Sequence, residues 1–123
     1  MSRYFSKDHE WIEVSGNVGT VGISDYAQGQ LGDITYVELP QTGQNVGKGD
    51  SVAIVDSVKA ASDVYTPVSG TIEAVNEALG DRPELVNSEA EGEGWLFRIA
   101  IADAAELDSL MDDTAYKAYI AEL

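Results

Sequence analysis

Glycine or proline interrupts almost every β-forming run in this chain before it can grow long. A strand needs only a handful of β-branched or aromatic residues, whereas a helix declares itself over ten or more residues of unbroken periodicity. Frequent interruption therefore selects many short strands. Glu10–Val14 and Val18–Ile23 flank Ser15-Gly16-Asn17 and read as a hairpin. Ile34–Leu39 alternates until Pro40 stops it, and Ser51–Val55, Val64–Val68, Gly70–Val75 and Trp95–Ile101 follow. This spacing predicts a sandwich or a barrel. Ser24 is placed to cap a short helix over Asp25–Gln30, ended by Gly29 or Gly32. The tail changes period: Leu107, Leu110 and Met111 recur at helical spacing, and Asp103 with Glu106 resembles a capping box. A second short helix is expected from Asp113-Thr114 onward, carrying Tyr116, Tyr119 and Ile120. Val46–Asp50 and Ala78–Asp81 give a faint internal echo, two Gly-Asp stretches that would suit paired halves.

The chain has 123 residues, enough for one hydrophobic core. It lacks cysteine, which removes disulfides, thiolate catalysis and thiolate metal sites. Its single histidine, His9, offers no metal cluster and is expected to hydrogen-bond within the fold. No Ser-His-Asp order or phosphate-binding glycine loop stands out. Twenty-two acids against seven bases give a net charge of −15, which repels phosphate backbones and argues against nucleic acid. No segment has membrane-spanning length, and the N-terminal residues carry neither an apolar run nor the look of a transit peptide, so a cytoplasmic protein is expected.

Lys59 is the one lysine between Lys48 and Lys117, and it sits among small and β-branched residues. Two local readings compete. Ile54, Val58, Ala61 and Tyr65 fall at helical spacing. The β-branched runs on either side, bracketed by Gly49 and Pro67, favour strand–turn–strand with Lys59 at the tip. A tip lysine keeps an edge soluble. It is equally a primary amine on a flexible stem, open to acylation.

Asp56-Ser57-Val58-Lys59-Ala60 resembles the lipoylation motif of the glycine cleavage H-protein family. Other blocks of that family occur in the same order: His9-Glu10-Trp11, Gly22–Ala27, Leu31-Gly32-Asp33, Val37–Pro40, Tyr65–Gly70, Val75-Asn76, Pro83, Leu85-Val86-Asn87 and Gly94-Trp95. Gly43 and Gly70 fit the wider lipoyl-domain pattern. Two departures stand out: the family usually has Glu in place of Asp56, and Ala90–Gly94 lacks a proline and tyrosine common before the Gly-Trp pair.

The resemblance implies an all-β dominated barrel-sandwich hybrid, lipoyl-domain-like, with a short helix in the N-terminal half and C-terminal helices. Residues 1–123 would form a single carrier domain, monomeric, with a helical tail over about 103–121. It implies a carrier rather than an enzyme, with lipoic acid amide-linked to Lys59. The implied partners are a pyridoxal-phosphate glycine decarboxylase, a tetrahydrofolate-dependent aminomethyltransferase, dihydrolipoamide dehydrogenase and a lipoate-attaching enzyme. Glu10, Asp63 and His9 are the candidates for a cleft that holds the aminomethyl-loaded arm, with Asp8 beside them. The alternatives are an H-like lipoyl donor, or a lipoyl or biotinyl domain of another complex. A biotin carrier usually has methionines beside its lysine, and a dehydrogenase lipoyl domain usually has Asp at the position of Val58.

Overall fold

The computed structural model describes residues 2–122. Strands β1 (Ser2–Phe5), β2 (Glu10–Ser15) and β3 (Val18–Ile23) lead into helix α1 (Asp25–Leu31) and strand β4 (Ile34–Glu38). Strands β5 (Asn45–Val46), β6 (Ser51–Ser57), β7 (Ala61–Tyr65) and β8 (Gly70–Val75) follow, then the single-turn helices α2 (Ala78–Asp81) and α3 (Leu85–Ser88). Strand β9 (Phe97–Ile101), a 3-10 helix over Ala104–Ser109 and helix α4 (Asp113–Ala121) come last. No helix among the described residues is long and apolar enough to cross a membrane.

The strands form two antiparallel sheets: β1-β2-β3-β9-β8-β5, and β4-β6-β7. Ile12, Val21, Ile72 and Ile99 from the larger sheet meet Val37, Val55 and Val64 from the smaller in one buried core. Each such side chain taken from water contributes roughly 1.5–3 kcal/mol. This is the all-β-dominated sandwich expected, with neither sheet closed on itself. A second apolar cluster of Phe5, Trp11 and Tyr116 fixes α4 against β1 and β2. Met111 exchanges two backbone hydrogen bonds with Phe5, at 2.7 and 2.8 Å, and so delivers the start of α4 to that surface.

Several boundaries differ from the sequence reading. The strand expected over Val64–Val68 is Ala61–Tyr65, because the β6–β7 turn comes earlier. Thr66 leaves the strand, and its hydroxyl donates to the Val68 carbonyl at 2.7 Å. Helix α1 runs through Gly29 and stops at Gly32, whose φ of 82° is open to glycine at little cost. The Asp103–Glu106 capping box does not form: Asp103 caps Ala105 N, while the Glu106 carboxylate accepts from Ser69 N and Ser69 Oγ. The two Gly-Asp stretches are not equivalent either, since Gly47–Asp50 is a tight turn and Ala78–Asp81 a helical one.

Candidate functional site

Lys59 lies at the tip of the β6–β7 hairpin, so the strand reading of this window holds and the helical stripe does not. Asp56 pairs with Ala61, and Ser57 N donates to Ala60 O at 2.9 Å, leaving Val58 and Lys59 as the loop. Two-residue hairpin loops usually need positive φ, yet neither Val58 nor Lys59 adopts it. The Ser57 hydroxyl replaces the missing turn geometry. It accepts from Lys59 N at 3.1 Å and Ala60 N at 3.2 Å, and donates to Ala60 O at 3.1 Å. Val58 N also donates to Asp33 O at 3.0 Å, which ties the tip to the loop after α1. Val58 remains 66% exposed beside it. The turn therefore forms without any contribution from the lysine side chain, whose methylene stem passes over Gly32. Asp56 sits at the base of the tip, half-buried, between Tyr36 on β4 and Ala61 on β7.

Gly43 and Gly70 are not at the tip. They belong to the β5–β8 pair of the other sheet, where Gly43 N donates to Ile72 O at 2.7 Å and Val46 faces Gly70. Their reasons for being glycine differ. Gly43 has φ 86° with open space around it. Gly70 has no such backbone, but a Cβ there would collide with the Ala100 carbonyl and approach Ile99 Cγ1 at 2.9 Å. Positive φ thus explains one of the two and close backbone approach the other.

A cavity of about 320 Å³ opens between α1, the β1–β2 loop and the Lys59 hairpin. His9, Glu10 and Asp63 all line it, with Tyr26, Leu31 and Val55 supplying apolar wall. Asp8 and Asp63 are exposed at its rim, whereas Glu10 is only 3% exposed. Glu10 is fixed at both oxygens: Ser6 Oγ donates to Oε1 at 2.6 Å, and Tyr65 N to Oε2 at 3.3 Å. Burial pushes its carboxyl up to about 7, opposed by those two hydrogen bonds and assisted by the Asp8 charge. Asp63 lies four residues beyond Lys59 along the hairpin, at most about 13 Å at 3.3 Å per residue.

His9 holds the left-handed backbone at φ 68°, uncommon outside glycine. Its carbonyl accepts from Ser24 N at 2.8 Å, and its Nδ1 lies 2.8 Å from Tyr116 Oη. Burial lowers the affinity of the imidazole for a proton, against the pull of Asp8. The expectation that His9 hydrogen-bonds within the fold and the expectation that it borders the cleft describe the same ring.

Sequence reasoning missed the supports of this site. Ser6, the Tyr65 amide, Asp33 and Tyr116 were not singled out for it, and Ser24 was read only as a helix cap. Ser6 lies four residues before Glu10 and was findable as a local partner; Tyr116 lies 107 residues from His9 and was not. Trp11 is core, donating Nε1–H to Ala90 O at 2.9 Å, and Trp95 is half-buried beneath the Arg98 guanidinium. Neither borders the cavity.

Three comparisons bear on the site. The glycine cleavage H-protein family model matches residues 3–123. The glycine cleavage system H protein of Paramagnetospirillum magneticum is 57% identical over 122 residues, covering 99% of this chain and 98% of that one. That of Thermotoga maritima is 52% identical over 118 residues, covering 96% and 95%. A crystal structure of a glycine cleavage system H protein from Mycobacterium marinum superposes with a TM-score of 0.89 at 32% identity, covering 98% and 97% of the two chains. The two-sheet architecture is therefore the barrel-sandwich fold that the sequence resemblance implied.

Proposed function

Because this chain belongs to the glycine cleavage H-protein family, we propose that it is a lipoyl carrier, with lipoic acid amide-linked to Nζ of Lys59. The observation that carries this reading is the placement of Lys59 on an exposed two-residue tip, built by Ser57 and Asp33, beside a cavity lined by carboxylates. An attaching enzyme can reach such an amine without unfolding anything. The chain's residues fit the group: the stem already lies over Gly32, and the cavity beside it has an apolar wall and an acidic rim.

Once attached, the dithiolane supplies a disulfide that takes up two electrons and the aminomethyl group of glycine, chemistry no residue of this cysteine-free chain could provide. The carrier moves between a pyridoxal-phosphate decarboxylase, a tetrahydrofolate-dependent aminomethyltransferase and dihydrolipoamide dehydrogenase in the cytoplasm. Its own residues hold, orient and shield. Glu10, backed by Ser6 and the Tyr65 amide, and Asp63 at the rim offer carboxylates to the aminomethyl cation. Charge-assisted hydrogen bonds of that kind contribute roughly 1.5–3 kcal/mol each. The Leu31, Tyr26 and Val55 wall limits water around them. The net charge of −15 steers the carrier to basic docking surfaces in a salt-dependent way.

The test is a reconstituted glycine cleavage cycle with Lys59→Arg, which keeps the charge and removes the acylatable amine. Loss of all carrier turnover is expected. Turnover equal to that of the parent chain would overturn the assignment.

A further inference from the structure

We propose that Tyr116 is a positioning residue for the cleft: its hydroxyl accepts a hydrogen bond from the Ser24 hydroxyl and donates one to Nδ1 of His9, so that His9 presents Nε2–H, the ring nitrogen without a partner among the described residues. The functional part of this proposal rests on the reading that the cleft holds the loaded arm.

The geometry points to one direction of donation along the chain. Tyr116 is 3% exposed on α4 and stacked on Phe5 at 4.3 Å. Its hydroxyl lies 2.6 Å from Ser24 Oγ and 2.8 Å from His9 Nδ1. Ser24 is fully buried, and its Oγ already accepts from Ala27 N at 3.1 Å as the cap of α1. Among the described residues its single proton has one acceptor, the Tyr116 oxygen. If Tyr116 donated to Ser24 instead, the Ser24 proton would be buried with nothing to receive it. Ser24 therefore donates, Tyr116 passes its own proton toward His9, and Nδ1 must be bare. A neutral imidazole with a bare Nδ1 carries its proton on Nε2.

Forming the imidazolium would place a proton on Nδ1, facing the one Tyr116 already directs there, so the chain opposes that cation. Burial of the ring acts in the same direction, and Tyr116 itself is held above its ordinary range by burial, which keeps its proton in place. The other titratable groups around His9 are Asp8 and Lys7 in its own loop, Glu10 and Asp63 lining the same cavity, Tyr26 on α1 at 4.9 Å and Tyr119 on α4 at 5.9 Å. The Asp8 charge draws a proton toward His9, and burial outweighs it. Asp113 and Lys117 on α4 pair with each other at 3.2 Å. A neutral His9 adds no positive charge to a cavity meant for a cation, and its Nε2–H is available to a carboxylate or to the amide carbonyl of the arm. The strained φ of 68° at His9 is what brings Nδ1 to Tyr116 and its carbonyl to Ser24 at once.

The sole histidine makes the test unambiguous. Long-range nitrogen–proton spectra of the nitrogen-15-labelled unmodified protein at pH 8 are expected to show the Nε2–H tautomer alone. An Nδ1–H pattern would overturn the proposal whether or not any variant folds. In Tyr116→Phe, which keeps the ring stacked on Phe5, both tautomers are expected, and the His9 titration midpoint should rise by about half a pH unit, roughly a threefold gain in proton affinity. A folded variant with parental tautomer and midpoint would also overturn it. The loaded form of the lipoylated variant should be lost several-fold faster at pH 6 than that of the parent, with a smaller difference at pH 8. Altered tautomers with unchanged lifetimes at both pH values would leave the proton chain standing and refute the cleft's role in holding the arm.

Discussion

Glu10→Gln is expected to make the protein more stable above neutral pH and less stable in acid. In the native chain the Glu10 carboxyl ionises at about 7, where an ordinary glutamate does so at 4.5. At roughly 1.4 kcal/mol per pH unit, the gap is worth about 3 kcal/mol, and at 3% exposure Glu10 has little solvent to screen it. The folded state favours the proton, so this contribution is fully present below pH 4.5 and is lost as pH rises through 7. Glutamine is neutral throughout and escapes that loss. Its one carbonyl oxygen, however, cannot accept from both Ser6 Oγ and Tyr65 N, which costs about 1 kcal/mol. The variant should therefore lead the parent by about 2 kcal/mol at pH 8 and trail it by about 1 kcal/mol at pH 4. Urea unfolding followed by tryptophan fluorescence at both pH values measures this, and comparing variant with parent cancels the other acids. A variant-minus-parent difference that stays constant from pH 4 to 8 would refute the reasoning about the buried carboxyl.

Ser57→Ala removes the hydroxyl that three backbone groups of the tip share, so lipoylation should slow several-fold while global stability changes by about 1 kcal/mol or less; an unchanged attachment rate would deny the turn that role. Gly70→Ala forces a methyl against the Ala100 carbonyl and should cost about 3 kcal/mol or more, as an overpacked site without room to relax. Gly43→Ala, strained only through its φ of 86°, should cost about 1 kcal/mol. Equal denaturant midpoints for these two variants would contradict the different reasons given for the two glycines.

The strands were legible where β-branched runs met glycine, as at Val18–Ile23 and Gly70–Val75, because alternation and turn chemistry act locally. β1 and β5, of four and two residues, were too short to register as pattern. The single-turn helices α2 and α3 have no side-chain cap to announce them. Asp103 and Glu106 had the right spacing for a capping box, but Glu106 bonds Ser69 across the fold, and a tertiary partner outweighed the local one. The helical stripe at Ile54, Val58, Ala61 and Tyr65 failed because Val55 pairs with Ser62 and Val64 with Ala53 across the hairpin, and both valines are buried in the shared core. At the candidate site, local reading offered Lys59 as a tip lysine, and family resemblance supplied the grouping of Glu10, His9 and Asp63. The Ser24–Tyr116–His9 chain joins residues 92 and 107 positions apart, and nothing in local sequence announces such a contact.

The central claim is that Lys59 carries the lipoyl group, and peptide mass spectrometry of the protein purified from its native cell tests it most directly. The account predicts a single lipoyl amide, on the peptide containing Lys59, with Lys7, Lys48 and Lys117 unmodified. A lipoyl group on any of those three lysines, with Lys59 bare, would contradict it.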